Sequence, residues 1–127
     1  MPAHQGLWCA AEDTATDFMG RLAVVPMVLE ARGLDVTPNM IRLFKQAKQA
    51  SAVAALETIY AEEVAHVAYG SKWFHFMCGR ENLDPKVAFH ELVQKYFHGQ
   101  LKPPFNEEKR AEAGIPPDFY WPLAVAT

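Results

Sequence analysis

The residues predict an all-α fold, built as half of a helical bundle, on three observations. Apolar residues recur at three- and four-residue steps over long stretches. No segment alternates apolar and polar residues as a half-buried strand would. Cap-plus-proline pairs and glycines punctuate the chain where helices would start and stop.

The first long helix is predicted over about 7–32. Leu22, Ala23, Met27, Glu30 and Leu34 fall on one side of it, and Gly33 stands where a helix stop is expected. Pro26 lies inside this helix, where it should kink the axis and free the carbonyl of Leu22. Thr37 and Pro38 read as a cap and first residue of a short solvated helix to about Lys48. The second long helix is predicted over about 51–79, with Ser51 as its cap. Its inner stripe is Leu56, Ile59, Glu63, His66, Gly70, Phe74 and Met77. Asp84 and Pro85 open a helix to about His98, which Gly99 ends. An extended linker over 99–105 follows, then a short helix over 107–113 capped by Asn106, and a packed irregular tail around Phe119, Tyr120 and Trp121. Residues 1–127 form one domain, with the stretch over about 84–127 as a helical appendage to the two core helices.

Composition narrows the function. The 127 residues carry 12 basic and 15 acidic side chains, a net charge of −3, so the basic footprint of a nucleic-acid binder is missing. No apolar run reaches the ~18 residues of a membrane span. The N-terminus lacks the basic start and apolar stretch of a signal peptide. Cys9 and Cys78 form no metal or disulfide pattern and read as core thiols, so a cytoplasmic location is expected.

One feature carries chemistry. Glu63-Val64-Ala65-His66 is an E-x-x-H step in mid-helix, which places Glu63 and His66 on one side. That side also holds Leu56, Ile59 and Phe74, and a carboxylate facing a core is costly unless it is paired or binds a metal. Glu30 occupies the equivalent stripe of the first long helix. Helical di-iron and di-manganese proteins use a Glu from each of two helices and an E-x-x-H from each of the other two. Glu30, Glu63 and His66 are half of that set, and a homodimer would complete it. The competing reading is a buried Glu63–His66 pair in a non-catalytic module, with Glu30 reaching solvent. Glu62 points about 100° away from Glu63, beside the ligands or on the surface. Tyr60, one turn before Glu63, reads either as a hydrogen-bond donor beside the metal pair or as a core aromatic.

The runs Arg21–Pro26, Leu29-Glu30-Ala31-Arg32-Gly33-Leu34-Asp35-Val36-Thr37-Pro38, Ile59–Gly70 with Trp73-Phe74, and Leu101-Lys102-Pro103-Pro104-Phe105-Asn106 resemble the ferritin-like family catalogued as domain of unknown function 455. The resemblance extends from about His4 to the region of Gly114. It implies a ferritin-like bundle with a carboxylate-bridged metal site. Glu30 matches the lone Glu of the family's third core helix, and Glu63 and His66 match the E-x-x-H of its fourth. Ferritin-like relatives store iron, reduce peroxides or hydroxylate substrates with oxygen. This chain departs from the family's pattern in lacking the N-terminal half that supplies the other ligands. It therefore reads either as a half-length version that dimerises or as an inert fragment. The expectation is an O₂- or peroxide-reactive oxidoreductase, a homodimer with two iron ions (manganese being the other candidate) and a small-molecule substrate or O₂ as partner. The alternative is a dimerisation or binding module.

Overall fold

The computed structural model describes residues 17–125. Asp17 opens the first helix, α1 (Phe18–Val24), with its Oδ1 accepting from the Gly20 N–H at 2.9 Å. A six-residue π segment (Val25–Glu30) follows without a break. Pro26 cannot donate to the Leu22 carbonyl, and the wider π turn accommodates that loss: the Ala31 N–H reaches back five residues to the Pro26 carbonyl. The expected disturbance at Pro26 is thus a local change of helix pitch.

The helix then runs on as α2 (Ala31–Gln46). Gly33 is not a stop and Thr37-Pro38 is not a start, which corrects both expectations. Pro38 sits inside α2 and deprives the Leu34 carbonyl of its usual donor. The Asn106 side chain supplies one instead, with Nδ2 donating to Leu34 O at 2.9 Å. A tertiary hydrogen bond therefore allows a proline that would otherwise end the helix. The first long helix accordingly extends to Gln46 instead of stopping near residue 32. Its predicted beginning at residues 7–16 lies outside the described residues.

A tight turn, with Lys48 at φ 57°, reverses the chain into α3 (Ala50–Arg80). Gln49, not Ser51, occupies the cap position and makes no capping bond. Asp84 caps α4 (Pro85–Tyr96) through Oδ1, which accepts from the Lys86 and Val87 N–H groups. Asn106 caps α5 (Glu107–Glu112), accepting from the Lys109 N–H at 3.2 Å. The aromatic tail forms α6 (Pro117–Tyr120) and a single 3₁₀ turn at Trp121–Leu123. Among the described residues there is no strand, only an isolated bridge between Leu101 and Ala124.

α2 and α3 pack as an antiparallel hairpin, and the π segment lies on α3. Gly70 makes that approach possible: a Cβ there would lie 2.4 Å from Pro26 Cγ. The core gathers Ala23, Met27 and Leu34 from the first helix, Val67, Phe74 and Cys78 from α3, and Phe89 from α4, closed by Ile115 and Tyr120. The predicted stripe of the first helix is thus the buried one. On α3 the buried stripe is Val67, Gly70, Ser71, Phe74 and Cys78, rotated from the expected line. Ile59 is 52% exposed and His66 is exposed. The expectation of an inward Ile59 and His66 is corrected for the described residues, because no described element covers that side. No helix among the described residues is long and apolar enough to cross a membrane.

Candidate metal centre

Glu30 ends the π segment and Glu63 lies mid-way along α3. Glu63 is half-buried, and its Oε1 is sealed from solvent with no hydrogen-bond donor. Burial first, and then the negative charge of Glu30, push the Glu63 carboxyl above the ordinary glutamate range, while His66 pulls the other way. Of the three residues singled out from spacing, Glu63 thus lies within electrostatic reach of the other two. Their surroundings differ: Glu30 and Glu63 are half-buried, whereas His66 is exposed.

A sealed carboxylate oxygen with no donor costs about 1–3 kcal/mol or more. A cation would remove that cost, and the oxygen-and-nitrogen donor set of Glu30, Glu63 and His66 suits iron or manganese. Among the described residues, however, no three His, Cys, Asp or Glu side chains come close enough to hold a metal ion by themselves. The donors fit the chemistry and fall short in number.

Gly33 has a role that its reading as a helix stop concealed. It faces Glu63, and a Cβ there would stand 3.4 Å from Glu63 Cγ. The glycine leaves open space beside the carboxylate arm. Its position in the Leu29–Pro38 string, one turn after Glu30, is the signal that could have revealed this.

The residues flanking the trio are otherwise engaged. The Tyr60 hydroxyl accepts from Asn106 Nδ2 at 2.7 Å, which ties α3 to the segment before α5. Glu62 is exposed. His75 bonds through Nδ1 to the Ser71 carbonyl at 2.8 Å and stacks on Phe119. His90 Nε2 lies 3.0 Å from the carbonyls of Asp118 and Phe119. Cys78 is buried, and burial raises its thiol pKa, as expected of a core cysteine. Cys9 and His4 lie outside the described residues.

A second polar cluster was not anticipated. Arg110, buried, donates from Nε to Asp35 Oδ1 at 2.9 Å and from Nη2 to Asp35 Oδ2 at 2.6 Å. The Asn106 N–H donates to the same Oδ1 at 2.8 Å. The Arg110 guanidinium lies 4.8 Å from the Phe105 ring centre and 4.5 Å from that of Tyr120. Arg32 Nη1 adds a bond to the Lys102 carbonyl at 2.7 Å. The Leu29–Pro38 string and the Leu101–Asn106 string, far apart in sequence, are thus joined in one place.

Comparison with known proteins covers the same ground. A Haemophilus influenzae protein, described as an uncharacterized protein, is 42% identical over 113 residues, which are 89% of this chain and 39% of the relative. The chain therefore spans about two fifths of the length of the relative it matches. No solved structure matches. A family model aligns with residues 1–121, and so takes in the π segment, the Glu63–His66 step and the Asp35–Arg110 junction alike: the chain belongs to the family described as "Protein of unknown function (DUF455)".

Proposed function

We propose that the chain is half of a ferritin-like carboxylate metal protein, and that a second copy completes a two-ion site on Glu30, Glu63 and His66. The observation that carries this reading is the sealed, donorless Oε1 of Glu63 beside a second carboxylate. Two copies supply four carboxylates and two imidazoles, the set that helical di-iron and di-manganese proteins use. Iron or manganese held there supplies oxygen- or peroxide-dependent oxidation of a small molecule.

The chain's own residues have distinct tasks. Glu30, at the exit of the π segment, and Glu63, with Gly33 leaving room beside it, furnish the negative charge that balances the cations. His66 offers an imidazole nitrogen as the third donor. Met27 and Leu34, one turn to either side of Glu30, and Val67, one turn after Glu63, are buried in the core.

Metal content is the test. Protein expressed with iron and manganese supplied is expected to carry about one ion per chain, in line with two per pair. Glu63→Ala and His66→Ala should each remove it. A folded wild-type sample without metal, or full metal in both variants, would overturn the reading.

The exposed apolar side of α3 favours a second reading, a non-catalytic binding module. There, His66→Leu leaves stability unchanged or raises it, and no metal is bound.

A further inference from the structure

Away from its buried stripe, α3 carries a second row of side chains at alternating four- and three-residue steps: Ala55, Ile59, Glu62, His66, Tyr69 and Trp73. This is the heptad spacing of a helix seam that packs against another helix. All six are exposed; Ile59 is 52%, Tyr69 64% and Trp73 40% accessible. The aromatic end is a ladder of edge-on rings, with Trp73 at 6.2 Å from Tyr69 and 5.6 Å from Phe76.

The order of residues along the row is self-complementary. In two antiparallel helices, residues equidistant from the two-fold axis face each other. An axis midway between positions 62 and 66 sets Glu62 against His66 of the second copy, Ile59 against Tyr69, and Ala55 against Trp73. One step further out, Ala52 meets Phe76. Every large ring meets a smaller side chain, and every carboxylate meets an imidazole. A parallel pairing would instead stack Glu62 on Glu62, crowd Trp73 against Trp73 and leave a gap between two alanines. Shape and charge both select the antiparallel register.

We propose that two copies of this chain pair through this seam, antiparallel about a two-fold axis between positions 62 and 66. The register builds on the completion of the metal site by a second copy and gives that completion a geometry. Glu63 and His66 of both copies then lie within about one helical turn of the axis. Each copy brings its ligands to the other's incomplete set.

Disulfide trapping tests the register in the full chain. With Cys9→Ser and Cys78→Ala as background, one preparation carries Ile59→Cys and another carries Tyr69→Cys. Mixed, equilibrated and mildly oxidised, they should give the cross-linked dimer about tenfold more efficiently than either preparation alone. The reason is that two residues 59 would stand about 15 Å apart along the axis. Efficient cross-linking within each single preparation would show a parallel pair and overturn the proposal. Sedimentation provides the second measurement. Wild type should be a dimer, and Trp73→Glu should weaken its association about tenfold or more while helicity by circular dichroism is kept. Ala55→Trp, which overfills the same layer from the other side, should do likewise. A wild-type monomer at all concentrations overturns the proposal and leaves the seam to the additional region of longer relatives. A dimer of this register without metal upholds the seam and removes the proposed function. Metal bound by a dimer that cross-links in another register does the reverse.

Discussion

Two acidic side chains on the central hairpin have opposite circumstances. Asp35 is enclosed and fully partnered: both oxygens meet Arg110, and Oδ1 also accepts from the Asn106 N–H. Glu63 has an enclosed oxygen, no donor for it, and Glu30 as its charged neighbour. Burying a carboxylate is tolerable when a cation and hydrogen bonds replace its water, and is costly otherwise. Asp35 satisfies that condition within one chain. Among the described residues Glu63 does not, which is why an outside partner is proposed for it and not for Asp35.

The largest effect is expected at the satisfied site. Arg110→Met leaves the buried Asp35 with only the half-exposed Arg32, 3.9 Å away, as a cation and should cost about 3–5 kcal/mol, read from urea unfolding at fixed protein concentration. It also removes the guanidinium that lies against both Phe105 and Tyr120, so the tail should loosen with it. Adding Asp35→Leu to Arg110→Met should recover part of the loss, since the uncompensated charge is gone. A loss below about 1 kcal/mol for the single variant would mean that Asp35 is no better served than Glu63, and the contrast would fail.

These circumstances bear on what could be read in the sequence. The helices of the hairpin and of α4 and α5 were legible from apolar spacing and caps, because their local signals agree with their tertiary setting. The glycine and proline signals at 33 and 38 misled, because the decisive partner is remote. Asn106, 72 residues from Leu34, supplies the donor that Pro38 removes, and Glu63 fills the space beside Gly33. The i,i+3 step and the preceding stripe pointed to Glu30, Glu63 and His66, of which Glu63 lies within electrostatic reach of the other two. The orientation of α3 was not. That helix is apolar on two sides, one for its own chain and one exposed, and periodicity cannot tell which is which. The Asp35–Arg110 pair left no local signal, since its members come from separate elements.

An intermediate effect, of opposite sign, is expected at the unsatisfied site. Glu63→Leu should stabilise the metal-free chain by about 1–2 kcal/mol near neutral pH, because it removes a carboxylate with one sealed oxygen that has no donor. The pH dependence follows from the raised carboxyl pKa. The folded chain binds this proton more tightly than the unfolded chain does. The favourable contribution is therefore fully present below the unfolded glutamate value and lost as pH rises through the folded one. Wild type and variant should converge in stability as pH falls towards the unfolded value and separate above it. Added iron or manganese should stabilise wild type alone and reverse their order. A variant less stable than metal-free wild type at neutral pH would show that Glu63 already has a partner within the chain.

The smallest effect sharpens the comparison most finely. Gly33 lies inside α2, where alanine is favoured over glycine by about 0.5–1 kcal/mol. The added methyl would stand 3.4 Å from Glu63 Cγ and 3.8 Å from Cδ, ordinary van der Waals contact. Gly33→Ala should therefore raise the thermal midpoint of the metal-free chain by a few degrees. The same methyl occupies the space into which the Glu63 arm would turn to serve a cation. Metal content should fall in Gly33→Ala although the fold is firmer. A variant that is firmer and keeps its full metal would show that Glu63 binds from the position it already holds. A variant that is less stable without metal would show that the carboxylate needs this space even in the isolated chain, as Asp35, held by Arg110 and Asn106, does not.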